Sequence, residues 1–124
     1  MKPIKIDLEK LVYRMGWTEK HADYLLLFRN AIVIVEETSR VKIDDIKKLD
    51  KTVEALLHGP LKNYIESYTS ILNPSKIIAV VHAQRVDSMI VRIIRSRTRK
   101  SIAYYTANCN QHLRRILHEH KVQL

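Results

Sequence analysis

The chain has 124 residues, 46% of them apolar, which is enough for one domain with a real core and too few for two, so a single domain over 1–124 is expected. One cysteine, Cys109, excludes an internal disulfide framework and a multi-cysteine metal cluster. With no apolar run of the roughly 18 residues a bilayer requires and no signal-peptide layout, the expected setting is the cytoplasm or a virion, neither secreted nor transmembrane. The net charge of +9 is unevenly spread: residues 1–74 carry 12 Lys and Arg against 11 Asp and Glu, whereas residues 75–124 carry 10 against 2. That basic carboxy-terminal part, 75–124, favours a polyanionic partner, nucleic acid ahead of an anionic membrane surface.

In chain order, "DLEKLVYRM" (Asp7–Met15) places Leu8, Leu11, Val12 and Met15 at helical spacing, with Asp7 as N-cap and Gly16 at the exit. "YLLLF" and "AIVIV" then read as two strands joined at Arg29-Asn30, because β-branched residues lose rotamer freedom in a helix and pack well on a pleated surface. Ile43–Leu57 repeats apolar residues at Ile43, Ile46, Leu49, Val53, Leu56 and Leu57 and stops at Gly59-Pro60, which predicts a helix. "LKNYIESYTSIL" predicts a shorter helix ending at Asn73-Pro74. "KIIAVVHA" reads as a buried strand, "RVDSMIVRIIRSR" as a helix, "SIAYYTA" as a strand and "CNQHLRRILHEH" as a final helix. This order suggests an α/β fold, a mixed sheet with a hairpin flanked by helices. The alternative makes every apolar run helical and gives an all-α bundle, an option that the scarcity of glycine (Gly16 and Gly59) keeps open.

A two-residue loop at Arg29-Asn30 has a geometric consequence. Cross-strand partners must then have residue numbers adding to the same value, so Leu27 faces Ile32, Leu25 faces Ile34, and Asp23 faces Glu36 on the same side of the ribbon. Two opposed carboxylates repel, so a cation should stand between them or one should be protonated. A divalent metal would meet that need, as would a nearby Lys or Arg. Arg40, on the strand face of Thr38, and Lys20 are the basic residues closest in sequence.

An Asp on the first strand of a short hairpin, followed near the end of the second by an acidic residue, one spacer and a lysine, is the signature this segment resembles. It belongs to the PD-(D/E)XK nucleases, which include archaeal Holliday-junction resolvases and RecB-like nucleases. The likeness covers residues 19–57. It implies a restriction-endonuclease-like fold, with Asp23 as the metal-binding aspartate, Glu36 as the second acid and Glu37 as spacer. Thr38 stands where that family has its lysine. Threonine cannot activate an attacking water or offset phosphate charge as lysine does, so the resemblance implies a degenerate metal site at Asp23 and Glu36, with an active one that cuts despite Thr38 as the alternative. Mg²⁺ or Mn²⁺ would be needed in the active case, and no cofactor otherwise.

Phosphate contacts are expected from arginine, whose planar fork donates two hydrogen bonds to one group. If the segment is one helix, Arg85, Arg92, Arg95 and Arg99 share a stripe, widened by Arg97, Lys100, Arg114 and Arg115. Of the adjacent Tyr104 and Tyr105, one must point inward on a strand. Cys109, His112, His118 and His120 lack recognised metal-ligand spacing. The sequence thus supports a nucleic-acid-binding or coating protein, such as a viral coat or nucleoid protein, on a degenerate nuclease-like scaffold. It would grip the phosphate backbone, of duplex DNA in the first instance, with no membrane role and with a homo-oligomer allowed. The alternatives are an active metal-dependent endonuclease and a protein-interaction adaptor.

Overall fold

The β-branched runs 31–35 and 76–81 form the two central strands of a five-stranded sheet, in a computed structural model that describes residues 3–17, 19–67, 76–120 and 122. The elements run β1 (Ile4–Asp7), α1 (Leu8–Met15), β2 (Tyr24–Leu27), β3 (Ala31–Arg40), α2 (Ile43–Leu57), α3 (Pro60–Glu66), β4 (Lys76–Arg85), α4 (Ser88–Ser96), β5 (Ile102–Ala107) and α5 (Asn110–Glu119). Strand order in the sheet is β1-β2-β3-β4-β5. The first two pairings are antiparallel; β3·β4 and β4·β5 are parallel and joined by helical crossovers. The fold is therefore α/β with a mixed sheet, and the all-α alternative is excluded.

Both faces of the sheet are covered, which is why β3 and β4 lack the alternation of a half-exposed strand. On one face Leu25, Leu27, Ile32, Ile34, Ala79 and Val81 pack against α1, α2, α3 and α4 through residues such as Leu8, Leu49, Leu61 and Ile94. On the other, Phe28, Val33, Val35, Ile78 and Val80 pack against Leu113, Ile116 and Leu117 of α5. Tyr104 is buried on the first face, its hydroxyl donating to Asp50 Oδ1 on α2 at 2.7 Å. Tyr105 points to the second, with its hydroxyl 2.5 Å from His120 Nε2. Neither is an exposed stacking platform.

Local chemistry accounts for the boundaries. Asp7 caps α1 by accepting from the Lys10 N–H at 3.3 Å, and Gly16 ends it at φ 70°, in the left-handed region that glycine enters without a Cβ penalty. Phe28 N–H donates to the Ala31 carbonyl at 2.9 Å, closing the Arg29-Asn30 loop, and the pairs Leu25↔Ile34 and Leu27↔Ile32 follow.

Four departures from the sequence-based expectations have simple causes. β1 was not expected because a four-residue strand that alternates charged and apolar residues at a sheet edge carries little signal. Arg85 belongs to the end of β4 rather than to a helix; Asp87, in extended conformation, is the N-cap that starts α4. Ile43, expected on the apolar stripe of α2, is 47% exposed in its first turn. The helix expected over 61–72 is seen as Pro60–Glu66, and its continuation lies outside the described residues.

Gly59 makes the turn from α2 into α3 at close quarters. A Cβ built there would lie 2.9 Å from Ala55 Cα and 3.3 Å from Ala55 O, both backbone atoms that cannot step aside. Gly59→Ala is expected to destabilise the fold by about 1–3 kcal/mol, as overpacking does elsewhere. Urea unfolding monitored by circular dichroism measures it, and an unchanged midpoint would mean that the junction opens readily.

Candidate functional site

The carboxyl ends of the parallel strands are where open α/β sheets bind ligands, and here that end holds the acids predicted from the hairpin. Ladder pairing of β2 with β3 ends at Tyr24↔Val35, and Asp23 leaves that register: its N–H donates to the Val35 carbonyl at 3.1 Å, one residue short of the Glu36 expected opposite it, and its Oδ2 accepts from the Glu37 N–H at 2.7 Å, so the extra residue acts as a bulge that re-aims the aspartate. Asp23 is exposed and held by backbone; Glu36, one residue before its partner, is turned inward and only 2% exposed.

Lys48 of α2 provides the cation that two opposed acids require. Its Nζ lies 3.2 Å from Glu36 Oε2, with 34% of the lysine side chain exposed. The residues nearest in sequence do other work: Arg40 pairs with Asp87 at 3.4 Å, and Lys20 pairs with Asp44. Asp45, also buried, hydrogen-bonds Glu36 and accepts from the Lys42 N–H through Oδ2 at 2.8 Å, which fastens the first turn of α2 over the acids. Thr52, one turn beyond Lys48, donates to the Lys48 carbonyl and accepts from the Ala22 N–H, both at 2.8 Å. The segment that delivers Asp23 is thus tied to the helix that delivers Lys48.

The electrostatics follow from burial. Desolvation, then the charge of Asp23 and the hydrogen bond with Asp45, outweigh the pull of Lys48 and raise the Glu36 pKa from 4.5 to about 8. Its carboxyl is therefore mainly protonated at neutral pH, and the bond between the two carboxyls uses that proton. In turn the hydrogen bond to Glu36 holds the Lys48 pKa above its ordinary value. Glu36 Oε1 is buried with no N–H or hydroxyl donor beside it, which makes the proton shared with Asp45 the more important for this carboxyl.

A hard divalent cation of the Mg²⁺ type takes one or two carboxylates and keeps other positions for water and phosphate; to be held by Glu36 and Asp23 it would have to displace the Glu36 proton and the Lys48 ammonium. Among the described residues no group of three or more His, Cys, Asp or Glu side chains is placed to hold a metal ion, so an all-protein cage is not formed.

Sequence reasoning missed Lys48, Asp45 and Thr52, although their spacing of three and four residues sits on the flank of the apolar stripe of α2. Polar residues on that flank were the available signal.

The arginines fall into two groups. Arg92 and Arg95 are exposed on α4, and Arg97, whose Nη1 is 3.3 Å from Asp50 Oδ2, follows its last turn. Arg99 and Lys100 lie in the turn before β5. Arg85 stands beside Arg40 at the carboxyl ends of β4 and β3. By strand alternation both are on the face that carries Glu36 and α4. Arg114 and Arg115 are on α5, across the sheet. The expected single patch is thus split, with one part sharing a face with the acidic centre. Cys109 Sγ accepts from the His112 N–H at the start of α5, and His120 engages Tyr105.

Because Glu36 carries a raised pKa in the folded state, its contribution to stability is complete below about pH 4.5 and is lost as pH rises through about 8. The melting temperature should fall between these limits, and Glu36→Gln should flatten that fall and exceed wild type above pH 8, by a few kcal/mol at most. Thermal melts across pH measure both. A wild-type melting temperature that rises over this window would show that Lys48 keeps Glu36 ionised.

No family model, no characterised protein and no solved structure matches this chain.

Proposed function

We propose that the protein acts on nucleic acid. It holds the phosphate backbone along the face of α4 and presents Asp23, Glu36 and Lys48 to a phosphodiester as a divalent-metal-dependent cleavage centre. The observation that carries this reading is Glu36: a buried, mostly protonated carboxyl joined to Asp45 and beside a lysine, at the carboxyl end of the sheet. Perturbed carboxyls in such positions are characteristic of reactive sites. A bound Mg²⁺ or Mn²⁺ would supply charge neutralisation at phosphate and a more acidic water. Lys48, reaching from α2, would take the place left by Thr38, offering its ammonium to phosphate oxygen. Asp23 would orient one edge of the ion through its fixed bond to the Glu37 N–H.

Binding without cleavage is the second reading, and the Lys48–Glu36 contact favours it, since an ammonium already satisfies one acid. A nucleic-acid-coating role would use the same arginines and leave the centre as a remnant.

The two arginine groups separate specific from diffuse binding. If backbone is held on the α4 face, the double reversal Arg92→Glu with Arg95→Glu should lower duplex DNA affinity and reduce the salt slope by about 1 for each phosphate no longer neutralised. The same change at Arg114 and Arg115 should have a smaller effect. Equal effects from both pairs would mean that overall charge alone, and no defined face, does the binding.

Cleavage is read separately, on supercoiled plasmid with Mg²⁺ or Mn²⁺ against chelator. Metal-dependent nicking that Asp23→Ala and Glu36→Gln each reduce by about 100-fold or more is expected, the scale at which losing one electrostatic stabiliser is felt. DNA binding with no nicking in either metal would leave the coating role as the function.

A further inference from the structure

The second face of the sheet is covered less completely than the first. Five strands about 4.8 Å apart make a sheet about 19 Å across, whereas one helix with its side chains covers about 10–12 Å of it. Helices α1, α2, α3 and α4 pack on the first face; among the described residues, α5 alone packs on the second. Beneath α5, Val33, Val35, Ile78 and Val80 are fully buried, but Tyr24 and Leu26, on the same face of β2, stay partly open. A groove of about 500 Å³ lies there between α5 and β1, with Tyr24, Leu26 and Phe28 as its floor and Leu113 and Leu117 as its wall.

Its charge selects among occupants. Lys5 and Arg114 are exposed on opposite borders, and none of the described lining residues is acidic. Glu37, near the carboxyl end of β3, is already engaged by the Tyr24 hydroxyl. A second copy seated by this face would therefore set cations against cations. Nucleic acid would meet aliphatic side chains on floor and wall. Lys5 Nζ also stands over the Tyr24 ring, 4.3 Å from its centroid, where a stacking base would have to displace it. An added strand would pair along the outer edge of β1 and leave the groove empty. A helix fits, because it lies in the layer that α5 occupies and carries its apolar residues along one stripe.

We propose that this groove docks an acidic amphipathic helix of a partner protein, which lies beside α5 over β1 and β2, its apolar stripe on Leu26, Leu113 and Leu117 and its carboxylates at Lys5 and Arg114. The surface is separate from the acidic centre and goes beyond the nucleic-acid reading, since it gives Arg114 a protein partner on the side of the sheet away from α4.

The test uses the whole chain and a stapled helical peptide with leucine at i, i+3, i+4 and i+7 and glutamate on both flanks of that stripe, read by fluorescence anisotropy and by amide chemical shifts. The peptide should bind and move the amides of β2 and α5 while leaving those of α4 in place. The double reversal Lys5→Glu with Arg114→Glu should weaken binding by about tenfold or more and should instead favour a peptide with lysine for each glutamate, an exchange that a folding defect would not produce. Leu26→Ala, verified as folded by circular dichroism, should also bind more weakly, and the reversal Arg92→Glu with Arg95→Glu should bind as wild type does. Absence of binding overturns the proposal, as does equal binding of a scrambled peptide of the same charge or an equal loss in the Arg92 and Arg95 variant. A dimer in sedimentation that Leu26→Ala dissolves would overturn it in favour of a second copy. A single-stranded oligonucleotide that displaces the peptide and moves the same amides would overturn it in favour of nucleic acid.

Discussion

Burying a carboxyl on a central strand is costly unless its surroundings are built for it, and most of the candidate site is arranged around that requirement at Glu36. With β3 paired to β4 at Glu36↔Val81 and α2 packed over that face, the side chain of Glu36 is 2% exposed and finds its partners on the helix that covers it. Lys48 and Asp45 are placed by three residues of helical rise, so α2 must cross β3 with its first turns over the acid. The Lys42–Asp45 cap and the Thr52–Ala22 bond hold it there. Moving the helix by one turn would put Leu49 and Thr52 where Asp45 and Lys48 stand, leaving the acid without its ammonium.

The same constraint orders the loop before β2. Ala22 is buried and hydrogen-bonded to Thr52, and the next residue, Asp23, is caught between the Val35 carbonyl and the Glu37 N–H. The exposed acid is therefore as firmly oriented as the buried one, though by backbone rather than by packing. One carboxyl is rigid and wet, the other rigid and dry, and it is the loss of solvation that raises the pKa of Glu36.

Charge is distributed around this centre with a direction. α4 and the ends of β3 and β4 carry Arg92, Arg95, Arg85 and Arg40 on the face of the acids, whereas Arg114 and Arg115 look away across the α5 layer. A field of that shape is more positive on one side of the sheet than on the other at the carboxyl ends of the strands. Arg40 and Arg97 are already engaged with Asp87 and Asp50, so the arginines outside ion pairs shape the approach more than the total charge does.

Local signals were enough for much of the framework. Asp7 and Gly16 bounded α1, the period of Ile46, Leu49, Val53 and Leu56 marked α2, and the β-branched runs marked β3 and β4. These depend on rotamer entropy, capping and spacing that act within a few residues of one another. The Arg29-Asn30 loop even set the register from Leu27↔Ile32 to Tyr24↔Val35, because a two-residue turn leaves no freedom in who faces whom, although Asp23 itself bonds one residue off that register. Which cation, and which acid took the proton, depended on residues far apart in the chain. The sequence offered Lys20 and Arg40 as neighbours, but strand direction carried Arg40 past the acids to Asp87, and the crossover to β4 laid α2 down so that Lys48 met Glu36. The division of the arginines has the same origin: their helices are both amphipathic and basic in sequence, and only the side of the sheet on which each crossover or terminal helix packs decides which of them share a face with the acids.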